Sequence, residues 1–536
     1  MKPETGQPET GQPETGQPVV VVGAGPVGQT AALLLARWDI PVLMLDKRAA
    51  RETGGSRSIC QQRDVLDVWE TVGAGAAIAD RGVTWRTART FYRDAELFSI
   101  DFVDSGRSPF PPWVNISQAE TERLLDERIA ADSRIEVRWG AEVVDLQQSA
   151  EAVAVVLADG SRISTPYALA CAGSAGDVVR TALGQSFDGQ SFDDRFLICD
   201  IRADLGNWTN ERRFYFDPAW NPGRQVLIHP CPDSTYRIDW QVPSDYDARG
   251  DDVDARIRAI VGDAPYDIVW KSVYRFQARA VPRMQVGRVL LLGDVAHLVA
   301  PFGARGLNSG VWDAENAAWK VAHVWRGWST EHLLETYHQE RHAAALENLD
   351  VTSATMRFLV PQSQDDRSRR EQLLEQAFAD PTALPAIDSG RMAEPYWYVD
   401  SGLTTPDPSR PFAGRPPKGQ TPTPGPGIVV PDAPVRVADR DTHLRRVARD
   451  GLLALVSGNV DAVMVAVALK ETYAGHSRVL DVAEVDPSGD LAAMLGCRGD
   501  DVWLIRPDAH IAAALSRPTS AEIRQAARRA VCGVAT

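Results

Sequence analysis

The sequence predicts an α/β fold: a parallel-sheet domain interrupted by a β-rich one, with a smaller α/β domain after them. Three observations predict it. An all-apolar strand runs into a glycine-rich turn and a helix near residue 20, and a second strand, Gly/Pro-rich loop and helix recur near residue 290. Between about 186 and 284 the texture changes to alternating, aromatic-rich segments, which suit an antiparallel sheet with one packed face.

Residues 3–17 are three copies of Pro-Glu-Thr-Gly-Gln, a tract with no apolar residue to bury, so 1–17 is expected to stay disordered. Val19 to Val22 is β-branched and apolar at every position and reads as a strand covered on both faces. A helix is expected from Pro26 to Trp38 and a second strand over Pro41–Leu45. Further strands are expected at 134–138, 153–157, 167–171 and 288–292, with helices at 118–131 and 309–327. The alternating segments are Arg212–Phe216, Gln225–His229 and Tyr236–Val242. Ten of the 35 prolines fall between Pro406 and Pro434, which predicts a stiff, extended linker. Beyond it, strands are expected at 451–456, 462–467, 479–485 and 501–506, and a helix near 520–531.

The 536 residues carry 57 Lys and Arg against 72 Asp and Glu, a net charge of −15. Such a surface repels phosphate polyanions, so nucleic-acid and anionic-membrane partners are not expected. The six cysteines, at 60, 171, 199, 231, 497 and 532, form no CxxC pair and no His/Cys cluster at metal-ligand spacing. Neither a metal site nor a disulfide framework is expected, and a reducing cytoplasm is the expected compartment. Every apolar run is broken well short of 18 residues, so no membrane span is expected.

The strongest motif is Gly23-Ala-Gly25-Pro-Val-Gly28, with Asp46 at the end of the second strand. Such glycines permit a tight turn and the approach of a pyrophosphate to a helix N-terminus, and the acid accepts from a ribose hydroxyl: a Rossmann-like dinucleotide fingerprint. A turn with only a packing role is the bland alternative, and the fingerprint alone does not distinguish FAD from NAD. The second motif runs from Val289 through Asp294, His297, Pro301, Gly303, Gly306 and Asn308 to Gly310. Its acid suits a ribityl hydroxyl, and its glycines and helix N-terminus suit an electron-rich ring that becomes anionic on reduction. An ordinary βα loop with Asp294 as N-cap is the alternative.

With the run Asn316-Ala-Ala-Trp-Lys320, these segments resemble the single-component, FAD-dependent aromatic hydroxylases, the p-hydroxybenzoate hydroxylase-like flavoprotein monooxygenases. The layout most resembles the phenol and 3-(3-hydroxyphenyl)propionate hydroxylase branch, which carries a thioredoxin-like C-terminal domain. The resemblance implies an FAD-binding domain over 18–85, 115–185 and 285–360, and a substrate domain over 86–114 and 186–284. A helical then Pro-rich linker over 361–425 and a thioredoxin-like domain over 426–536 complete it. It also implies that Arg57 contacts the FAD pyrophosphate or ribityl chain, that Gln118 reaches the diphosphate-ribityl chain, and that Val143 packs the adenine. Pro301, Gly306, Leu307 and Asn308 resemble the residues whose backbone lies against the isoalloxazine, beside Gly303. The chain departs from the family at Ala172-Gly173-Ser174-Ala-Gly-Asp177-Val-Val-Arg180, where an acid is lost from its usual place and Asp177 stands in the later Ser position. The C-terminal domain also lacks the paired thiols of a working redox fold.

The implied reaction consumes NADPH or NADH and O2 and hydroxylates a phenolic or other electron-rich aromatic through a C4a-hydroperoxyflavin. A phenol reacts better as phenolate, which calls for a proton acceptor. The candidates in the β-rich insertion are His229, Tyr215 and Arg237, with Trp240 beside them, and His229 is the expected acceptor; a core histidine is an equally good account of it. An FAD-dependent oxidase or reductase on the same fold and a non-catalytic flavoprotein scaffold are the alternatives. Dimerisation is an expectation of the resemblance alone.

Overall fold

The computed structural model describes residues 16–52, 54, 58–102, 106–417, 420–486 and 488–532; Arg57 and most of the Pro-Glu-Thr-Gly-Gln repeats lie outside them. The first sheet has the strand order Gln285–Val286, Val289–Leu291, Ala168–Ala170, Val19–Val22, Val42–Asp46, Ile135–Trp139. All its pairs are parallel except the edge hairpin of the first two strands. Val19–Val22 is central and fully covered, as an all-apolar run requires. The helix Pro26–Arg37 lies on this sheet and packs against the helices Gln118–Ala130 and Arg305–Trp325. Strands from residue 19 and residue 289 thus share one sheet across the whole insertion.

The insertion builds an eight-stranded sheet, ordered His297–Leu298, Tyr266–Ala280, Asp188–Ala203, Thr235–Val242, Gln225–Cys231, Glu211–Phe216, Thr87–Tyr92, Ala95–Asp101. Side chains alternate between its faces. Leu197, Cys199, Tyr215, Val226, Ile228, Ile238 and Trp240 pack under the helix Val253–Val261. The alternate positions, among them Phe196, Ile198, Phe214, Phe216 and Leu227, face the first domain and the long helix His332–Leu359.

The last domain opens with the hairpin Pro434–Val437 and Arg440–His443 and the helix Leu444–Ala448, then runs strand, helix, strand, helices, strand, strand, helix, with the sheet order Ser477–Asp481, Leu452–Val456, Asp501–Ile505, Ile511–Ser516. Two expectations fail here. Residues 462–467 belong to a helix, Ala462–Thr472, whose first amides are capped by the Asp461 carboxylate. The strand expected at 479–485 is Ser477–Asp481, after which Asp481 caps the short helix Val482–Val485. Cys497 and Cys532 pack in separate hydrophobic clusters of this domain.

The proline-rich stretch is not a free-standing spacer. It has no helix or strand between Ala386 and Pro434 among the described residues, yet Tyr398 and Leu403 are buried. Thr405 and Gly427 donate backbone hydrogen bonds to Ala512 and Ile511, so the stretch is docked against the last strand. Buried charges join this domain to the first. Arg506 donates to Glu340 at 2.5 and 2.9 Å and to Asp508 at 2.5 Å, Lys320 donates to Glu340 at 2.6 Å, and Arg449 to Glu315 at 2.6 Å.

Candidate active site

One cavity of about 750 Å³ runs from the glycine-rich turn to the inner face of the eight-stranded sheet. At its first end the three glycines have different tasks. Gly23 takes φ +103°, and a Cβ there would lie 2.4 Å from the Cys171 carbonyl oxygen; one on Gly28 would lie 1.9 Å from the Gly23 oxygen. Those two glycines are required for the turn itself and for close helix–strand packing. A Cβ on Gly25 would meet nothing within 4 Å. Gly25 is also the side-chain-free N-cap of Pro26–Arg37, so the first-turn amides face open space, the arrangement that takes a phosphate. Asp46 accepts from the Ala24 amide at 2.8 Å and from the Arg48 guanidinium at 2.8 and 2.9 Å. Burial would raise its pKa, but these bonds hold it below the usual carboxylate range. Gln118 and Val143 line the same end. Gln118 accepts from the Ser58 amide and donates to Glu122.

The middle of the cavity is bounded by Asp294, Pro301, Gly303, Gly306 and Leu307. The helix expected at 309–327 is Arg305–Trp325, entered through Gly303 (φ +88°) and Ala304 (φ +57°). Its early start brings the amide end of the helix to the cavity. Gly306 would meet nothing with a Cβ, whereas Gly303 sits 2.0 Å from the Arg391 oxygen by the same test. Asn308 is not on the cavity wall. Its side chain accepts from the Gln62 amide and donates to the Cys60 and Ala304 carbonyls, which locks the helix start to the strand Cys60–Gln62. His297 is structural: it bonds Asp313 at 2.7 Å, which also accepts from Arg341 at 2.6 Å and from the Gly293 amide at 3.0 Å.

The departing segment 172–180 borders the same cavity through Ala172, Gly173, Ala175, Gly176, Val178 and Val179. Arg180 is buried, donates to the Val295 and Ser174 carbonyls and to Asp177 at 2.5 Å, and lies over the Phe187 ring. It therefore fixes the turn that supports Asp294.

At the far end the sheet presents a transverse row of polar residues. His229 pairs with Arg237 and Arg237 with Asp200 across adjacent strands. Arg213 pairs with Ile228, so Arg212 stands beside His229. Arg237 is held by Asp200 at 2.7 and 2.8 Å. His229 is 8% exposed and its Nδ1 has no partner. Burial, then the Arg212 and Arg237 charges, push its pKa well below that of a free imidazole, so it is neutral. Asp239 lies on the same face one step along, and burial pushes its carboxyl up to about 7 against the pull of Arg237. Phe196, Ile198, Leu227, Trp270 and Phe276 supply apolar wall around this row.

Two sequence candidates are corrected. Tyr215 and Trp240 lie on the opposite face of the sheet, in the cluster under Val253–Val261; Tyr215 stacks on Phe91 at 4.6 Å and accepts from Arg213. Strand parity puts both out of reach of the cavity, because His229 and Arg237 occupy the inward phase. Arg212, Asp239 and Asp200 were not foreseen, although charged residues at alternate positions of otherwise apolar strands were a visible signal.

The fold and this cavity define a flavoprotein. Residues 17–352 match the family model described as FAD binding domain, more than half of the chain, and the protein belongs to that family. It is 28% identical over 389 residues to 3-(3-hydroxy-phenyl)propionate/3-hydroxycinnamic acid hydroxylase of Mycobacterium sp. (strain KMS), covering 71% of this chain and 66% of that protein. A flavin-dependent monooxygenase of Mycobacteroides abscessus is 31% identical over 364 residues, covering 62% of this chain and 73% of that one. In structure the chain is similar to the flavin-dependent monooxygenase PieE, solved with FAD and substrate. The TM-score is 0.83 at 22% identity, over 97% of this chain and 99% of that one, a likeness of fold.

Proposed function

We propose that this protein is an FAD-dependent monooxygenase that consumes NAD(P)H and O2 and hydroxylates a phenolic aromatic compound. The observation that carries the reading is the continuity of one cavity from a phosphate-binding turn, past a helix N-terminus, to a polar row set in an apolar wall. Its dimensions and donors fit FAD. Gly25 and the first-turn amides of Pro26–Arg37 would take the pyrophosphate, Asp46 a ribose, Gln118 the diphosphate-ribityl chain and Val143 the adenine. Asp294 would take the ribityl chain, and the backbone at Pro301, Gly306 and Leu307 would border the ring system. Bound FAD supplies two-electron reduction by NAD(P)H and the activation of O2.

The chain's own residues do the rest. His229 is neutral and its Nδ1 is unpartnered, so it accepts a hydrogen bond from the phenolic hydroxyl and relays the proton, its buried imidazolium being disfavoured as a resting place by Arg212 and Arg237. Asp239, ionising near neutrality beside it, is the site where that proton can rest. Arg237 and Asp200 fix the row that orients His229. Phe196, Leu227, Trp270 and Phe276 keep water from the reacting centre, which limits loss of activated oxygen as H2O2.

The test is a panel of phenols with FAD-loaded enzyme under oxygen-18 gas, scoring coupled NAD(P)H oxidation and label in product. Coupled oxidation with one labelled oxygen per product is expected. Oxygen consumption without label in product identifies an oxidase, and a flavin that neither NADH nor NADPH reduces with any phenol present ends the enzyme reading.

A further inference from the structure

We propose that Met392 is an internal oxygen acceptor: its thioether sulfur is oxidised to the sulfoxide when O2 is reduced in the cavity with no aromatic substrate bound, and the oxidised side chain spoils the cavity wall. The inference rests on the reading of the protein as a flavoprotein that reduces O2 with NAD(P)H, and it adds regulation to that site.

Met392 lies outside residues 17–352, the part that matches the FAD binding domain, on the proline-rich stretch that follows Ala386. Among the described residues it is the one member of that stretch on the cavity wall. Backbone contacts fix its place. The Ala393 amide donates to the Gly303 carbonyl at 2.7 Å, Arg305 donates to the Arg391 and Met392 carbonyls at 3.2 Å, and Gly390 turns with φ +95° against Phe302. Met392 therefore stands beside the loop 301–307, whose backbone would border the ring system of FAD.

Three side chains on the cavity wall carry sulfur: Met392, Cys60 and Cys171. A thiol attacks a peroxide as its thiolate, and burial pushes Cys60 up to about 12 and Cys171 up as well, so both stay protonated. Both are also buried, whereas Met392 is half-buried. A thioether needs no deprotonation, because its sulfur lone pair is available at any pH. The oxidant is H2O2, the product left when activated oxygen finds no ring to enter. The lone pair bonds one peroxide oxygen, the O–O bond breaks, and the hydroxide that leaves takes the proton of the transferred hydroxyl and departs as water. Sulfur gives up two electrons and the peroxide gains two, so the step is balanced without a further reductant.

The surroundings hold the product. Arg305 is 2% exposed, its Nε has no hydrogen-bond partner among the described residues, and its Nη2 already bonds the Met392 carbonyl. A sulfoxide oxygen is the acceptor that this buried donor lacks. Met392 also packs against the cluster of Ile59, Cys60, Trp85, Trp113 and Ala393, apolar neighbours that a polar, pyramidal sulfoxide disturbs. Turnover without substrate thus converts part of the apolar wall into a polar one.

For the test, FAD-loaded wild-type and Met392→Leu proteins are turned over with NADH or NADPH under oxygen-18 gas, without any phenol and with catalase in solution to destroy peroxide that escapes. In a parallel arm the bound flavin is reduced by light and an amine donor under argon and reoxidised by the same gas, which removes the dependence on NAD(P)H. Peptide mass spectrometry is expected to find labelled oxygen on Met392 at least about tenfold above Met464 and Met494, which are half-buried in the last domain. Wild type is expected to lose its substrate-stimulated rate in step with that label and to recover it with methionine sulfoxide reductase, and Met392→Leu to hold its own starting rate several times longer. The proposal is overturned if both arms leave Met392 labelled no more than Met464 and Met494, if its added oxygen is unlabelled, or if Met392→Leu loses rate as fast as wild type. H2O2 formed from NAD(P)H with Met392 untouched would leave the flavoprotein reading standing without the acceptor. Label on Met392 in the light-driven arm, with a flavin that neither NADH nor NADPH reduces, would do the reverse.

Discussion

At His229 three influences act in one direction: burial, Arg212 and Arg237 all disfavour the imidazolium. At Asp239 burial and Arg237 oppose each other and burial wins, leaving a carboxyl that ionises near pH 7. The rate of substrate-stimulated NAD(P)H oxidation is therefore expected to carry an ionisation near pH 7 that Asp239→Asn removes; a profile unchanged in that variant takes Asp239 out of the proton path. His229→Gln is expected to lower the rate by about 10²–10³ for phenols and to be partly rescued at high pH, where substrate ionises in solution. Gly28→Ala, with its Cβ 1.9 Å from the Gly23 oxygen, is expected to abolish stable FAD binding, read as flavin lost on gel filtration. At this scale the glycines were legible because backbone geometry dictates residue type. His229 was legible as an isolated titratable group in an apolar strand. Tyr215 was misplaced because alternation says which residues share a face and not which face turns inward; the register of Arg213 with Ile228 settles that, and register is a tertiary property.

At the scale of elements, the helix Arg305–Trp325 shows how a loop reading goes wrong. Gly303, Ala304 and Gly306 read as continued loop, but Gly303 and Ala304 supply the left-handed entry and Gly306 is already helical. What fixes the start is Asn308, two of whose three hydrogen bonds reach a strand more than two hundred residues away while the third closes on the Ala304 carbonyl. Asn308→Leu is expected to cost about 2–3 kcal/mol, since it leaves buried Gln62 and Cys60 backbone groups unpaired. Thermal unfolding of the FAD-loaded protein checks it, and a melting temperature within a degree of wild type would refute it. The helix Ala462–Thr472 was misread for another reason. Val463, Met464, Val465 and Val467 have strand propensity, and the deciding feature was the Asp461 cap, a local contact that a propensity sum gives little weight.

Across the whole molecule, the division into a discontinuous sheet, a β-rich insertion and a last α/β domain was legible because hydrophobic period and glycine motifs mark each part. The docking of the parts was not, because it depends on Glu340, Arg506, Asp508 and Lys320, which are ordinary surface residue types in the sequence and fully buried in the fold. Burial opposes the ionised forms of Glu340 and Asp508, but the Arg506 charge holds both well below the usual carboxylate range. Depressed acids of this kind stabilise the fold above their unfolded values, near pH 4, and that contribution is lost as pH falls through the lower folded values. Arg506→Met is expected to cost about 3–5 kcal/mol, because Glu340 and Asp508 keep their burial without their partner. It is also expected to move the acid-unfolding midpoint to higher pH. An unshifted midpoint in circular dichroism would show that the interface charges do not contribute.

The distance along the chain between these partners sets an order of events during synthesis. Glu340 waits 166 residues for Arg506. When the proline-rich strap is being made, the segments 305–325 and 332–359 have already been made, with Glu340 and Lys320 lacking part of their counter-charge. Glu340 and Lys320 therefore gain their full buried charge network only after residues 506–508 have been made and have docked against the earlier helices. A chain ending before them would keep its dinucleotide motif but leave Glu340 buried with Lys320 as its remaining cationic partner.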